Sequence, residues 1–209
     1  MLYLFTRSLA RRLPLLLTMF ILSLFVACSS QASSSNTAGQ SANSPQATQA
    51  STQPANTTAF TITSPDFHDG GPLPLRVAGC GGGSNVAPTL TWTNTPSGTK
   101  SLALLMSDYD APVAGGIRHW VVYNIPADAH QLQGNQPFTE GANSRGSQAY
   151  MGPCPPMTNG PHHYLFLLYA FDVANIGNAG LHYDDVIKAA QSHVRGATSI
   201  VGLFQRTQN

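Results

Sequence analysis

Ionisable side chains cluster where three apolar segments of the chain begin or end. Asp108 and Asp110 follow the apolar segment 102–106, His119 opens a second segment, and His162 opens a third. Two carboxylates two positions apart point to the same side of an extended chain, where they can orient two partners. Histidines held by such carboxylates can carry the positive charge that balances an anion. The pattern predicts a pocket for a small anion.

Each of these residues also has a simpler interpretation. Asp108 and Asp110 could belong to a turn that Pro112 completes, and backbone groups alone could satisfy His119. The same side chains, with His162, could instead bind a metal ion for hydrolysis. However, the sequence has no HExxH or GxSxG motif, and anion binding explains imidazole–carboxylate pairs equally well. We expect a binding protein rather than an enzyme, with no cofactor and no metal.

A loop rich in proline and glycine precedes the third histidine. The sequence Gly-Pro-Cys-Pro-Pro at 152–156 predicts a fixed loop without regular secondary structure. In the strand that follows, His162 and Tyr164 share one face and His163 takes the other. An imidazolium held by one of the aspartates would present its second N–H to a phosphate oxygen. Tyr164 and the loop amides would add neutral donors.

Short apolar or alternating segments predict a mainly β fold. The predicted strands cover 60–63, 73–77, 89–93, 101–107, 119–125, 164–172 and 197–204. Segments 102–106 and 164–170 are apolar on both faces, which predicts central strands covered on both sides. One helix is predicted at 183–194, and the polar stretch 126–150 predicts a long loop beside the site. We expect a β-sandwich with few peripheral helices.

The low charge of the chain limits what it can recognise. Only 9% of its 209 residues are charged, and the net charge is +1. Such a chain has no strong electrostatic field, which argues against binding nucleic acid by bulk charge. Any anion must be recognised locally.

The first residues predict export and lipid anchoring. Three arginines precede the apolar run 13–26, which is short for a membrane-spanning helix of roughly 20 residues. Residues 1–27 are therefore predicted to be a signal peptide. Small residues before Cys28 resemble a bacterial lipobox, in which the cysteine receives lipid, including palmitate. This places the protein in the bacterial cell envelope, on the outer membrane or the outer face of the cell membrane. An ordinary secretory signal with an incidental Cys28 is the alternative.

A polar stretch separates the anchor from the domain. Residues 29–58 contain no charged, aromatic or large aliphatic side chain, so they cannot form a core. We expect residues 28–58 to be a flexible tether with a reach of about 30 Å, and 59–209 to be the folded domain. A tail without a role is the alternative.

Together these segments resemble the phosphatidylethanolamine-binding protein family, in its bacterial Raf-kinase-inhibitor-like (YbhB/YbcL-type) branch. The matching motifs lie at 63–71, 108–112, 119–126, 152–156, 162–164 and 168–172. The resemblance implies a Greek-key β-sandwich with a pocket for phosphate-like groups or phospholipid heads. The pocket residues that it implies are Asp108, Asp110, Pro112, His119, Trp120, Gly152, Pro155, Pro156, His162 and Tyr164. Tyr109 replaces the usual proline, and residues 81–84 replace an acidic loop. Because the family includes kinase and protease inhibitors, inhibition of an unidentified protein partner is an alternative function.

Three cysteines leave one candidate pair. If Cys28 is lipidated, Cys80 and Cys154 of an exported chain can form a disulfide. The bond would join the glycine-rich loop to the pocket loop and contribute up to about 4 kcal/mol in the chain-entropy description. Two free thiols are the alternative.

Overall fold

The structure is a computed structural model that describes residues 58–132 and 137–207. These residues contain nine strands and one α-helix. The predicted signal peptide, Cys28 and the tether up to residue 57 lie outside the described residues. Within the described ranges, no helix combines the length and the apolar character needed to cross a membrane.

The strands form two sheets. The smaller sheet has the order β1–β3–β6, with β1 at Thr61–Thr63, β3 at Leu90–Thr93 and β6 at Gln131–Leu132. The larger sheet has the order β2–β9–β8–β4–β5–β7. Its strands are β2 (Gly71–Pro72), β4 (Ser101–Asp108), β5 (Ile117–Pro126), β7 (Thr139–Glu140), β8 (His162–Phe171) and β9 (Val194–Phe204). The predicted mainly β fold class is confirmed.

The main core fills the space between the two sheets. Trp92 and Leu90 of β3 pack in one cluster with Leu104 and Met106 of β4 and with Phe166 of β8. Alternate residues of each strand supply this layer, because successive side chains point to opposite faces. Fully burying a side chain of this kind stabilises the fold by about 1.5–3 kcal/mol.

The outer face of the larger sheet is covered by the helix α1 (Tyr183–Ala190). Val186 and Ala190, four positions apart on one helix face, pack with Leu105 of β4 and Val121 of β5. Every residue of β4 is therefore buried, which confirms the prediction of a central strand covered on both sides.

The coverage predicted for β8 is only partly correct. Its inward residues are buried, whereas Leu165, Leu167 and Tyr169 on the outer face are half-buried. The short helix α1 does not extend far enough to cover them, since it ends at Ala190 rather than at the predicted residue 194. A 3₁₀ turn, Gln191–His193, follows, so β9 begins three residues before the predicted 197.

One predicted strand is wrong. Within the predicted strand 73–77, residues Leu75–Val77 form a 3₁₀ helix. Pro74 supplies no N–H for a sheet ladder, and its carbonyl instead accepts from the amide of Val77 at 3.0 Å. The predicted long loop 126–150 also contains the two short strands β6 and β7.

Candidate functional site

A cavity of about 490 Å³ opens at one end of the strands of the larger sheet, where β4 ends and β5 and β8 begin. Eight of the ten predicted site residues line it, namely Asp108, Pro112, His119, Gly152, Pro155, Pro156, His162 and Tyr164. The topology explains this convergence, because Asp108 pairs with Ile117 across one neighbouring strand and with Tyr164 across the other. That these residues bind a ligand stays a prediction.

Asp108 is held at the base of the cavity by three contacts. Its Oδ1 accepts hydrogen bonds from the amides of Asp110 and Ala111, at 2.9 and 3.1 Å. Its Oδ2 lies 2.8 Å from Nδ1 of His162. The residue is only 2% exposed, and a buried carboxylate requires such partners to offset its lost hydration. Asp108 therefore orients other groups.

Both ring nitrogens of His162 have partners. Nδ1 faces the Asp108 carboxylate, which only accepts, so that nitrogen carries a proton. Nε2 lies 3.3 Å from the side-chain nitrogen of Asn159. We expected His119 or His162 to present a second N–H to a ligand, and in His162 this position is occupied by Asn159.

His119, in contrast, keeps one open nitrogen. Its Nδ1 lies 2.7 Å from the carbonyl oxygen of Met151, so Nδ1 carries the proton of the neutral ring. Nε2 is buried and has no hydrogen-bond partner in the described part of the chain. Burial lowers the pKa of His119, against the opposing effects of the Met151 carbonyl and the Asp108 charge. At neutral pH the ring therefore places an unpaired lone pair in the cavity wall.

A β-bulge places His119 in this wall. Met106 pairs with Trp120 and Ser107 pairs with Arg118, so His119 is the extra residue of β5. Strict alternation would place its side chain on the outer face with Val121. Bulges re-aim side chains in this way and are frequent next to functional sites.

Tyr164 carries the second unpaired atom. Its hydroxyl is buried and lacks a hydrogen-bond partner among the residues described. Its ring packs edge-on against His119, with 5.1 Å between ring centroids. Burial and the nearby Asp108 carboxylate raise the pKa of Tyr164, so the hydroxyl stays protonated and able to donate. Native proteins leave few buried polar atoms unpaired, and two in one cavity indicate a place for a bound polar group.

Asp110 does not join this cavity. The chain turns directly after Asp108, so the two carboxylates do not share one side of an extended strand as predicted. Oδ2 of Asp110 accepts a hydrogen bond from the backbone amide of His163 at 2.7 Å. The same oxygen lies 2.8 Å from Nδ1 of the His163 ring, and both side chains are exposed. These bonds lower the pKa of Asp110. In residues 58–132 and 137–207, no three histidine, cysteine or acidic side chains form a cluster suited to a metal ion.

Two aromatic residues near the motifs also lie away from the cavity. Trp120 is in the core, edge-on to Tyr150, and its Nε1 donates to Glu140 at 3.2 Å. Trp120 is therefore not among the residues that line the cavity, and its role in ligand binding stays a prediction. Tyr109 lies 54% exposed beside Arg118, whose guanidinium carbon is 5.0 Å from the ring centroid.

Arg145 is a wall residue that the sequence interpretation missed. Among the described residues it contributes the only formal cation of the cavity lining, and it also borders an adjoining cavity of about 320 Å³. Buried Asn143 fixes its backbone, because the Asn143 side-chain oxygen accepts from the amides of Arg145 and Ser147 at 2.9 and 3.2 Å. The sequence predicts only a polar loop at these positions, because they show no regular spacing of apolar residues from which the place of Arg145 could be inferred.

The opposite wall is a loop packed against backbone. The amide of Gly152 donates to the Asn85 side-chain oxygen at 2.7 Å, so it is not the open ligand donor that we expected. The amide of Gly79 donates to the carbonyl of Pro153 at 2.9 Å. The structure joins Cys80 to Cys154 by a disulfide with 5.5 Å between Cα atoms, and Cys154 also lines the cavity.

A larger groove, of about 700 Å³, lies between β1 and the middle of β9. It is more open and holds none of the predicted site residues. Its acidic residues serve the fold, because Asp66 pairs with Arg76 at 2.6 Å and Asp69 accepts from the amide of Val201 at 2.8 Å. The buried ionisable groups favour the smaller cavity as the site.

Comparison with known proteins gives consistent matches. The family model described as phosphatidylethanolamine-binding protein matches residues 63–205. A UPF0098 protein of Methanothermobacter thermautotrophicus is 39% identical over 148 residues, which cover 67% of this chain and 95% of that protein. LppC of Mycobacterium tuberculosis, whose name includes the word lipoprotein, is 41% identical over 152 residues, covering 70% of this chain and 72% of LppC.

A solved structure shares the fold. The crystal structure of Escherichia coli YbcL, described as a new member of the mammalian PEBP family, superposes with a TM-score of 0.66 at 30% sequence identity. The match covers 70% of this chain and 98% of YbcL.

The close packing behind the wall loop predicts a cost for any side chain at Gly152. A Cβ there would overlap the backbone carbonyl oxygen of Val77 and the amide nitrogen of Gly79. Because backbone cannot move aside cheaply, Gly152→Ala should lower the free energy of unfolding by about 1–3 kcal/mol in urea titrations. Gly160→Ala is the matched control, since a Cβ there meets nothing within 4 Å. Equal losses in both variants would contradict this packing.

Proposed function

Because this chain belongs to the phosphatidylethanolamine-binding protein family, we propose that it is a binding protein whose cavity holds a small phosphate-like anion or phospholipid headgroup. The observation that carries the proposal is a pair of buried polar atoms that have no hydrogen-bond partner among the described residues, Nε2 of His119 and the hydroxyl of Tyr164. Each lies in the cavity lining. A phosphate group offers both the acceptor and the donor that these atoms lack.

The binding chemistry assigns one role to each atom. The Tyr164 hydroxyl donates to a phosphate oxygen, and its raised pKa keeps that proton in place. Neutral His119 accepts from the hydroxyl of a monoprotonated phosphate, and protonated His119 donates to an oxygen instead. Hydrogen bonds with an ionised partner are roughly twice as strong as neutral ones.

An anion can bind beside Asp108 only if the negative charge of the Asp108 carboxylate is offset. Two backbone amides and His162 already surround that carboxylate. Arg145 supplies a positive charge in the cavity wall. The site therefore presents donors and one cation to the ligand, while its carboxylate is turned inward.

The geometry gives less support to a metal-dependent hydrolase. The four side chains that could have bound a metal fall into separate arrangements. Asp108 pairs with His162, Asp110 turns away to His163, and Nδ1 of His119 faces the Met151 carbonyl. A binding role uses these arrangements as they stand.

For the location of the protein, we propose lipid anchoring at Cys28 in the cell envelope. Support comes from the lipobox-like sequence before Cys28 and from the similarity to LppC, a protein with lipoprotein in its name. The tether would then hold the cavity outside the cytoplasm, within about 30 Å of the membrane.

Removal of one hydroxyl tests the binding proposal. O-phosphoethanolamine and inorganic phosphate should bind the wild-type domain in titration calorimetry, and Tyr164→Phe should weaken both by about tenfold or more, as expected for one hydrogen bond to a charged ligand. Tyr169→Phe, on the outer face of β8, is the matched control and should bind normally. If neither ligand binds the wild type, the proposal fails.

The pH dependence of binding tests the role of His119. Its pKa in the free protein lies below 6.5 because the ring is buried, and a bound anion raises it. Affinity should therefore rise as pH falls from 7.5 through the bound-state pKa, and the gain should be complete below the free-state pKa. His119→Asn, which keeps a donor for Met151, should lose this part of the rise. Identical pH profiles for both proteins would remove the imidazolium from the site.

Cell fractionation tests the anchor. The full-length protein should sediment with membranes, and Cys28→Ser should release it or leave the precursor unprocessed. Labelling with a radioactive or clickable fatty acid should disappear in the same variant. Cys80→Ser is the control for loss of a thiol, and labelling that survives Cys28→Ser would contradict the proposal.

A further inference from the structure

The cavity also indicates which class of headgroup it prefers. Resting on the proposed function, we propose that it selects a phosphate monoester with an uncharged tail over the zwitterionic phosphoethanolamine group, and that Arg145 sets this preference. The proposal follows from three features of the wall: one cation, no carboxylate open to an ammonium group, and an apolar side.

The cation is an exposed arginine in the same cavity wall as the two unpaired atoms. Arg145 lines the same cavity as His119 and Tyr164, and its charge contributes to the lowered pKa of His119, after burial. Its backbone amide is fixed by Asn143 at 2.9 Å. Among the ion pairs of the described residues, none involves Arg145, so a ligand phosphate does not compete with an internal carboxylate for it.

The acidic residues do not offer a place for an ammonium group. Asp108 is the only acidic residue that the described part of the chain contributes to the lining, and three of its roughly four acceptor positions are used by two amides and His162. It is 2% exposed. Asp110, which the sequence motif places two positions away, bonds to His163 outside the cavity. An ammonium group entering the cavity would lose hydration without gaining a free carboxylate.

The remaining wall is apolar. It is formed by Ala111, Pro112, Val113, Ile117, Pro155 and Pro156. Such a surface accommodates the alkyl or glycerol part of a phosphate ester, whereas transfer of an ammonium group to an apolar surface is costly. The cavity therefore suits a ligand with a charged phosphate end and an uncharged tail, either a soluble monoester or the head of phosphatidic acid.

Two ligands of equal length isolate this preference. Propyl phosphate and O-phosphoethanolamine differ only in a methyl group replaced by an ammonium group. In titration calorimetry at pH 7.5, propyl phosphate should bind the wild-type domain about tenfold more tightly, the ratio expected for 1.4 kcal/mol of differential interaction. Arg145→Gln removes the cation that attracts the phosphate and repels the ammonium group, so it should weaken propyl phosphate more than O-phosphoethanolamine and lose most of this ratio. Lys188→Gln, which removes one positive charge from the exposed side of α1, should keep it.

Vesicles distinguish the two sources of the ligand. Phosphatidylcholine vesicles containing either phosphatidic acid or phosphatidylethanolamine are mixed with the soluble domain and sedimented. Recruitment to phosphatidic acid that Arg145→Gln abolishes supports a lipid head. Binding of propyl phosphate without recruitment supports a soluble monoester.

The outcomes separate this inference from the proposed function. Equal or tighter binding of O-phosphoethanolamine by the wild type overturns the inference and leaves a phosphate-binding pocket in place. An unchanged ratio in Arg145→Gln overturns the role of Arg145. Absence of binding by every phosphate ligand overturns the proposed function itself. Matching thermal unfolding of Arg145→Gln and wild type ensures that the comparison concerns binding.

Discussion

The buried carboxylate of Asp108 is the interaction on which the rest of the site depends. Removing a charge from water costs several kcal/mol, and this cost is offset by two amides of the following turn and by His162 of the neighbouring strand. Those bonds end β4, turn the chain outward and fix the ring at the start of β8. One side chain thus sets the geometry of two strand ends. Because the chain turns outward after Asp108, Asp110 lies outside the cavity, where its carboxylate contacts His163.

The second constraint is the β-bulge that turns the side chain of His119 into the cavity wall. His119 and His162 both line the cavity, but they differ in their hydrogen-bond partners. His162 has partners at both nitrogens, whereas His119 has one partner at Met151 and a buried Nε2 without any in the described part of the chain. An unpaired buried acceptor costs about 1–3 kcal/mol. The fold tolerates this cost next to Tyr164, which has an unpaired donor. A ligand that forms hydrogen bonds with both atoms removes this cost.

The sequence predicts those features that depend on local pattern. The both-face apolar run at 102–106 correctly predicts the buried strand β4, and the helical period at Val186 and Ala190 predicts α1. Asp110 could not be placed in this way, because the turn after Asp108 is set by hydrogen bonds rather than by residue alternation. The same holds for the bulge that re-aims His119 and leaves Trp120 in the core. Arg145 lies in a loop whose shape is set by a buried asparagine, which no periodicity reveals.

The scarcity of charge gives each unpaired charge a larger effect. With 9% charged residues and a net charge of +1, the protein exerts little long-range attraction on an anion. Two other arginines are paired with carboxylates, Arg76 with Asp66 and Arg195 with Asp172. Arg145 instead lines the cavity and forms no ion pair with another described residue. Selectivity at the proposed site must therefore come from contacts within a few ångströms of a ligand, which only the side chains and backbone groups of the cavity wall can make.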